Sequence, residues 1–171
     1  MSNPVKKFKY VDYLWDDEIA AKLGDNQVAL FLYRSNILGA DLRITNYGGG
    51  NTSCKTIEKD PLTNEKVEVM WIKGSGGDIG TLTKTGIAGL YTERLRNLKN
   101  VYGGLKDEDR MVGLFDHCIY DLDSKAPSID TPLHGLLPYA HIDHLHPDAL
   151  IAVAAAKDSE KVTKEIWGDT M

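Results

Sequence analysis

Cysteine is scarce in this 171-residue chain: Cys54 and Cys118 are the only two, and they form no Cys-x-x-Cys. That excludes a disulfide framework and a thiolate metal site, and leaves two reduced, structural thiols as the expected state. Long apolar runs are also missing. No window approaches the roughly 18 apolar residues of a membrane span, and Met1-Ser2-Asn3-Pro4-Val5-Lys6-Lys7 lacks the apolar core of a secretory signal. A cytoplasmic protein without a membrane partner is expected. Basic clusters are almost absent as well. With a net charge of -5 and one short terminal run, Lys6-Lys7-Phe8-Lys9, read as a solvated tail, no nucleic-acid partner is expected. No repeat or linker divides the chain, and 42% hydrophobic content supplies a core of ordinary size for one domain.

The aromatic-anchored stretch 1–15 (Tyr10, Tyr13, Trp15) reads as an arm, and 16–171 as the domain. A short helix begins at Asp16-Asp17-Glu18, since acidic residues suit a helix N-terminus. A buried helix should cover 25–40, with Asp25 as its N-cap and Gly39 where it stops. The alternating stretches 52–59 and 66–72, joined by Asp60-Pro61-Leu62-Thr63-Asn64, predict a β-hairpin. Helices are expected near 86–99 and 107–118, a short one after Asp130, a strand over 141–146, and helices opened by Pro147-Asp148 and over 159–167. Interleaved helices and strands indicate an α/β domain.

Histidine is what the chain has in an unusual pattern: 4 of its 5 histidines, His134, His141, His144 and His146, fall close together, and none follows His146. His144 and His146, at i and i+2 on an extended segment, should point to one side and grip a metal ion; the bland alternative is two satisfied residues at a sheet edge. His141 should face away and makes a poor third ligand. His134 reads as helical and structural or supporting, His117 as core or surface. Two glycine loops, Asn46-Tyr47-Gly48-Gly49-Gly50-Asn51 and Lys73-Gly74-Ser75-Gly76-Gly77-Asp78, could cradle a small phosphorylated ligand or simply turn the chain. Neither matches a nucleotide fingerprint, because Ile79 stands where G-x-G-x-x-G needs glycine. In Ser128-Ile129-Asp130, either polar side chain could cap the following helix, or Ser128 could bind phosphate while Asp130 acts beside the metal.

Gly-Gly-Asn-Thr-Ser at 49–53, Lys-Gly-Ser-Gly at 73–76, Ser-Ile-Asp-Thr-Pro-Leu-His at 128–134 and His-Ile-Asp-His-Leu-His-Pro at 141–147 resemble, in that order, the class II aldolase/adducin family. The nearest likeness is to the aldolase part of bifunctional rhamnulose-1-phosphate aldolase/alcohol dehydrogenases, over roughly residues 20–171. The resemblance implies a three-layer α/β/α domain around a mainly antiparallel sheet, homo-oligomeric assembly and one Zn2+ per site. It implies phosphate binding by Gly50, Asn51, Ser75, Gly76 and Ser128, metal binding by His144 and His146, and an acid/base role for Asp130, which stands where better-known members carry a glutamate.

The implied chemistry is reversible cleavage of a ketose 1-phosphate to dihydroxyacetone phosphate and an aldehyde, with zinc as Lewis acid. The family's third zinc histidine comes from further along the chain, so the sequence reads as an N-terminal piece with an incomplete metal site and little activity alone. NAD would enter only through a downstream short-chain dehydrogenase domain. Two other readings remain open: a non-catalytic adducin-like assembly module, and an epimerase or decarboxylase on the same scaffold.

Overall fold

The structure is a computed structural model that describes residues 9, 13–104, 106 and 108–168. Most of the arm, with Lys6, Lys7, Phe8 and Tyr10, lies outside the described residues, as do position 107 and the last three. Seven α-helices among the described residues are α1 (Asp17–Leu23), α2 (Gln27–Ala40), α3 (Thr92–Asn97), α4 (Glu108–Gly113), α5 (Thr131–Leu136), α6 (Asp148–Ala155) and α7 (Ser159–Trp167). The strands β1 (Asn51–Lys59), β2 (Lys66–Lys73), β3 (Ile87–Tyr91) and β4 (His141–His144) form one sheet in the order β3-β2-β1-β4. Every pairing is antiparallel. Helices cover both faces, giving the three-layer α/β/α arrangement around an antiparallel sheet.

Local chemistry explains the element ends. Asp16 caps α1 by accepting from the N–H groups of Glu18 (2.8 Å) and Ile19 (3.2 Å). The cap of α2 is Asn26, whose Oδ1 accepts from Ala29 N at 3.0 Å, so Asp25 is displaced by one residue from the expected role. Gly39 does not stop α2. It lies inside the helix because a Cβ there would stand 2.0 Å from Gly80 N, where the helix crosses the turn after the second glycine loop.

The hairpin forms as expected, and Asp60 pins its turn: Oδ1 accepts from Leu62 N and Thr63 N, each at 2.9 Å, and Oδ2 accepts from the Tyr91 hydroxyl at 2.7 Å. These donors hold the Asp60 carboxyl down to about 2.

The expected helix over 86–99 is corrected to strand β3 followed by the short α3. A five-residue apolar run does not distinguish a buried strand from a helix, and only its position inside the sheet decides. Gly89 in β3 faces Trp71 across the register, where a Cβ would stand 2.7 Å from the indole. The expected helix over 107–118 is likewise divided after Gly113, continuing as a 3-10 turn over Phe115–Cys118.

Period-2 alternation splits the apolar residues of the sheet between two cores. Met70, Ile72, Ala88 and Leu90 pack with Leu95, Leu98, Phe115 and Cys118 on the face covered by α3. Cys54, Val69, Trp71 and Ile87 pack with Phe31 and Leu82 on the face covered by α2. Burial pushes the Cys54 thiol up to about 12, which keeps it protonated and inert.

Candidate active site

The topology gathers the motifs at one end of the sheet. Because β1 runs antiparallel to both neighbours, its first residue, Asn51, lies beside the last residues of β2 and β4, and Asn51 pairs directly with His144. Paired residues share a face, so Asn51, Ser53, Ile142 and His144 all lie toward the α3 and α5 side. His141 and Asp143 lie on the opposite face. There Arg34 of α2 reaches His141 Nδ1 (2.7 Å), Asp143 Oδ1 (3.1 Å) and the Ser53 carbonyl (2.7 Å), which ties β4 to β1 from behind.

The histidine pair converges, but not by the expected strand geometry. β4 ends at His144, and His146 lies beyond it, beside the first glycine loop. A Cβ on Gly49 would stand 3.2 Å from His146 Nδ1, and one on Gly50 would stand 2.7 Å from the His144 carbonyl. Gly50 also has φ +75, a conformation that glycine adopts without strain. The two rings meet at a centroid distance of 4.7 Å, with their Nε2 atoms 3.1 Å apart. Two nitrogens at zinc-ligand distance and a tetrahedral angle would be separated by about 3.3 Å, so the pair fits two positions of one such ion. Among the described residues, no group of three His, Cys, Asp or Glu side chains that could hold a metal ion is gathered.

Asp130 approaches this pair from α5. Its Oδ1 lies 3.7 Å from His144 Nδ1, and its Oδ2 accepts from the Ser128 hydroxyl at 3.1 Å. Ser128 Oγ in turn accepts from Asp130 N at 3.3 Å. Asp130 occupies the N-cap position of α5 but makes no side-chain cap, which leaves its carboxylate turned toward the histidines.

The second glycine loop is attached to the same strand of chain: Ser75 N donates to Ala126 O at 2.9 Å, and Gly74 bridges Pro127. Ser75 and Gly76 themselves are exposed, and a Cβ on Gly76 would meet nothing within 4 Å. The expected phosphate residues thus surround one sheet end, with Gly50, Asn51 and Ser128 buried and Ser75 and Gly76 open.

Three residues inside the two glycine loops have contacts that their motifs do not announce. Asp78 joins the two glycine loops, accepting from Gly48 N at 3.3 Å and Gly80 N at 2.6 Å. Lys73 is almost fully buried where β2 enters its loop, and desolvation lowers its pKa while Asp130 and Asp78 oppose that shift. A lysine closing the run Val69-Met70-Trp71-Ile72 was the available signal. Asn46 holds the first loop against α6 by donating to Asp148 at 3.1 Å.

Buried polar atoms without a hydrogen-bond partner concentrate here: Asn51 Oδ1, Thr131 Oγ1, His134 Nε2 and His144 Nδ1 all belong to β1, α5 or β4 at this face. Such atoms are rare in folded proteins, and each calls for a partner such as a water, an ion or a moving side chain. His117, by contrast, is exposed on the 3-10 turn after α4.

His134 is wholly buried, with Nδ1 2.7 Å from Ser53 Oγ, and desolvation pushes its pKa down to about 4. The unfolded chain, with an ordinary value near 6.5, takes up this proton before the folded one does. Stability should therefore be complete above about pH 6.5 and fall as pH drops from there to about 4, by on the order of 3 kcal/mol from this group. Denaturant midpoints at stepped pH, compared with those of His134→Gln, check this; an identical slope in both proteins would refute it.

This architecture is that of a class II aldolase-type domain. The family model for the class II aldolase and adducin N-terminal domain matches residues 32–168, and the chain belongs to that family. It is 41% identical over 159 residues to an uncharacterized oxidoreductase, YuxG, of Bacillus subtilis (strain 168). That match takes in 93% of this chain but only 22% of the relative, so the chain spans about a fifth of that protein's length. The fold is shared with the N-terminal class II aldolase domain of a conserved protein from Thermoplasma acidophilum, at TM-score 0.72 and 24% identity over 95% of this chain and 70% of that one. Among the described residues no helix is long and apolar enough to cross a membrane.

Proposed function

We propose that this domain cleaves a ketose 1-phosphate of the rhamnulose type into dihydroxyacetone phosphate and an aldehyde, with zinc held by His144 and His146. The observation that carries this reading is the meeting of two imidazole Nε2 atoms 3.1 Å apart with a carboxylate 3.7 Å from the same His144 ring. Bound there, zinc would supply Lewis-acid stabilisation of the negative charge that develops at the substrate carbonyl. The glycine-loop backbone with Asn51, Ser75 and Ser128 takes the phosphate and fixes the substrate at a distance from the breaking bond. As the carbon–carbon bond breaks, the hydroxyl of the departing carbon gives its O–H proton to the Asp130 carboxylate and that fragment leaves as an aldehyde, and Asp130, now protonated, delivers the proton to the carbon of the retained fragment. The reverse addition moves the same proton back from carbon to oxygen. The oxidoreductase designation of the much longer relative supports a fused protein in which NAD serves a separate domain.

Zinc titration of the wild type and His146→Ala tests the metal assignment: removal of one of two nitrogen donors should weaken binding by at least about tenfold. Equal affinity would remove His146 from the site. A coupled assay for dihydroxyacetone phosphate on the fused protein tests the reaction, and cleavage that persists after chelation and in His144→Ala would defeat the zinc-dependent reading.

A further inference from the structure

His134 carries two observations that the cleavage scheme does not use. Its Nδ1 is engaged by Ser53 Oγ at 2.7 Å, and its Nε2 is buried with no hydrogen-bond partner. A Ser53 hydroxyl that donates to Nδ1, rather than accepting from it, places the single hydrogen of a neutral imidazole on Nε2, and this is the tautomer taken for His134. Desolvation keeps the ring neutral, so that buried N–H is a fixed donor.

His134 follows Asp130 by four residues across the first turn of α5, and its main-chain N–H donates to the Asp130 carbonyl at 3.3 Å. Side chains at i and i+4 lie on one helix face. Meanwhile the hydroxyl of Ser128 is committed to Asp130 Oδ2 at 3.1 Å. The dianion of a phosphate monoester offers only acceptors and serine has one hydroxyl hydrogen, so a Ser128 hydroxyl that turns to the phosphate must leave Asp130.

We propose that His134 is a positioning residue: its Nε2–H receives the Asp130 carboxylate when Ser128 turns to the substrate phosphate, so that phosphate binding steers the proton-moving group. The proposal rests on the assignment of Asp130 as that group, but the exchange of partners is measurable without turnover. Ser53 is the anchor, His134 the donor and Asp130 the group that moves. The device links occupancy of the phosphate end to alignment at the reacting end.

Two-bond 1H–15N spectra of the chain, with and without inorganic phosphate, read the exchange directly. His134 is expected as the Nε2–H tautomer, with its ring proton moving downfield on phosphate addition. Ser128→Ala should show the downfield position without phosphate, and Asp130→Asn should show no movement. A hydrogen on Nδ1, or one unchanged Nε2–H signal in all four samples, overturns the proposal.

In the cleavage assay, His134→Gln, whose amide reaches the Nε2 position, should stay within about threefold of wild-type kcat, a small change on the scale of a lost proton-transfer group. His134→Asn satisfies Ser53 but cannot reach Asp130, and should lower kcat about 10- to 100-fold with KM within about twofold. Equal loss in both variants would mean that the ring merely packs. Absence of cleavage in the wild type would instead defeat the proposed reaction and leave the spectra to decide the positioning role.

Discussion

Asp130→Asn is expected to lower cleavage turnover by about 10²- to 10⁴-fold, the usual contribution of a positioned acid/base group. The substitution isolates the proton function, because asparagine retains an oxygen that can accept from the Ser128 hydroxyl now 3.1 Å away. The variant should fold normally, bind zinc with similar affinity and hold substrate with a KM close to wild type, since the carboxylate contacts His144 only at 3.7 Å. A loss confined to kcat is thus the signature. Steady-state rates of the fused protein with a ketose 1-phosphate at saturating zinc provide the measurement, and near-normal turnover would take the acid/base role away from Asp130.

The second large effect concerns stability. Gly39→Ala should destabilise the fold by at least about 2 kcal/mol, although the same change in an exposed helix normally gains up to about 1 kcal/mol. The added Cβ would stand 2.0, 2.3 and 2.7 Å from backbone atoms of Gly80 and Ile79, and backbone cannot swing aside as a side-chain tip can. Relief requires α2 to separate from the turn that Asp78 stabilises through its bond to Gly80 N. For a chain of this size the expected fall in melting temperature is about 4–8 °C. Because Asp78 also holds Gly48, the first glycine loop should loosen too, and zinc affinity should fall with stability. A variant that melts at or above the wild-type temperature would refute the tight crossing.

Much of this was legible in the residues themselves. The hairpin could be placed because its strands alternate and its turn carries Asp60, Pro61 and Asn64, chemistry that acts over a few residues. The opening of α1 at Asp16 follows from the same short-range logic. The ends of the histidine strand, the identity of the α2 cap and the nature of β3 were not legible. Asp25 and Asn26 are both good cap residues, and only the path of the chain selects between them. Ile87-Ala88-Gly89-Leu90-Tyr91 is apolar enough for a helix or a buried strand, and the space left by Gly89 for the Trp71 indole is a fact about a neighbouring strand.

The candidate site divides along the same line. The order of the glycine loops, Ser128-Ile129-Asp130 and His144-Leu145-His146 is a property of the sequence, and it determined the family and the residue types brought to the site. That these pieces meet at all was decided by the antiparallel placing of β1 between β2 and β4, which sets Asn51 against His144. Nor could the sequence predict the roles of Lys73, Asp78 and His134, which depend on burial and on partners up to 81 residues away. Local composition dictates local conformation and donor chemistry; distances between distant donors exist only once packing has closed the chain.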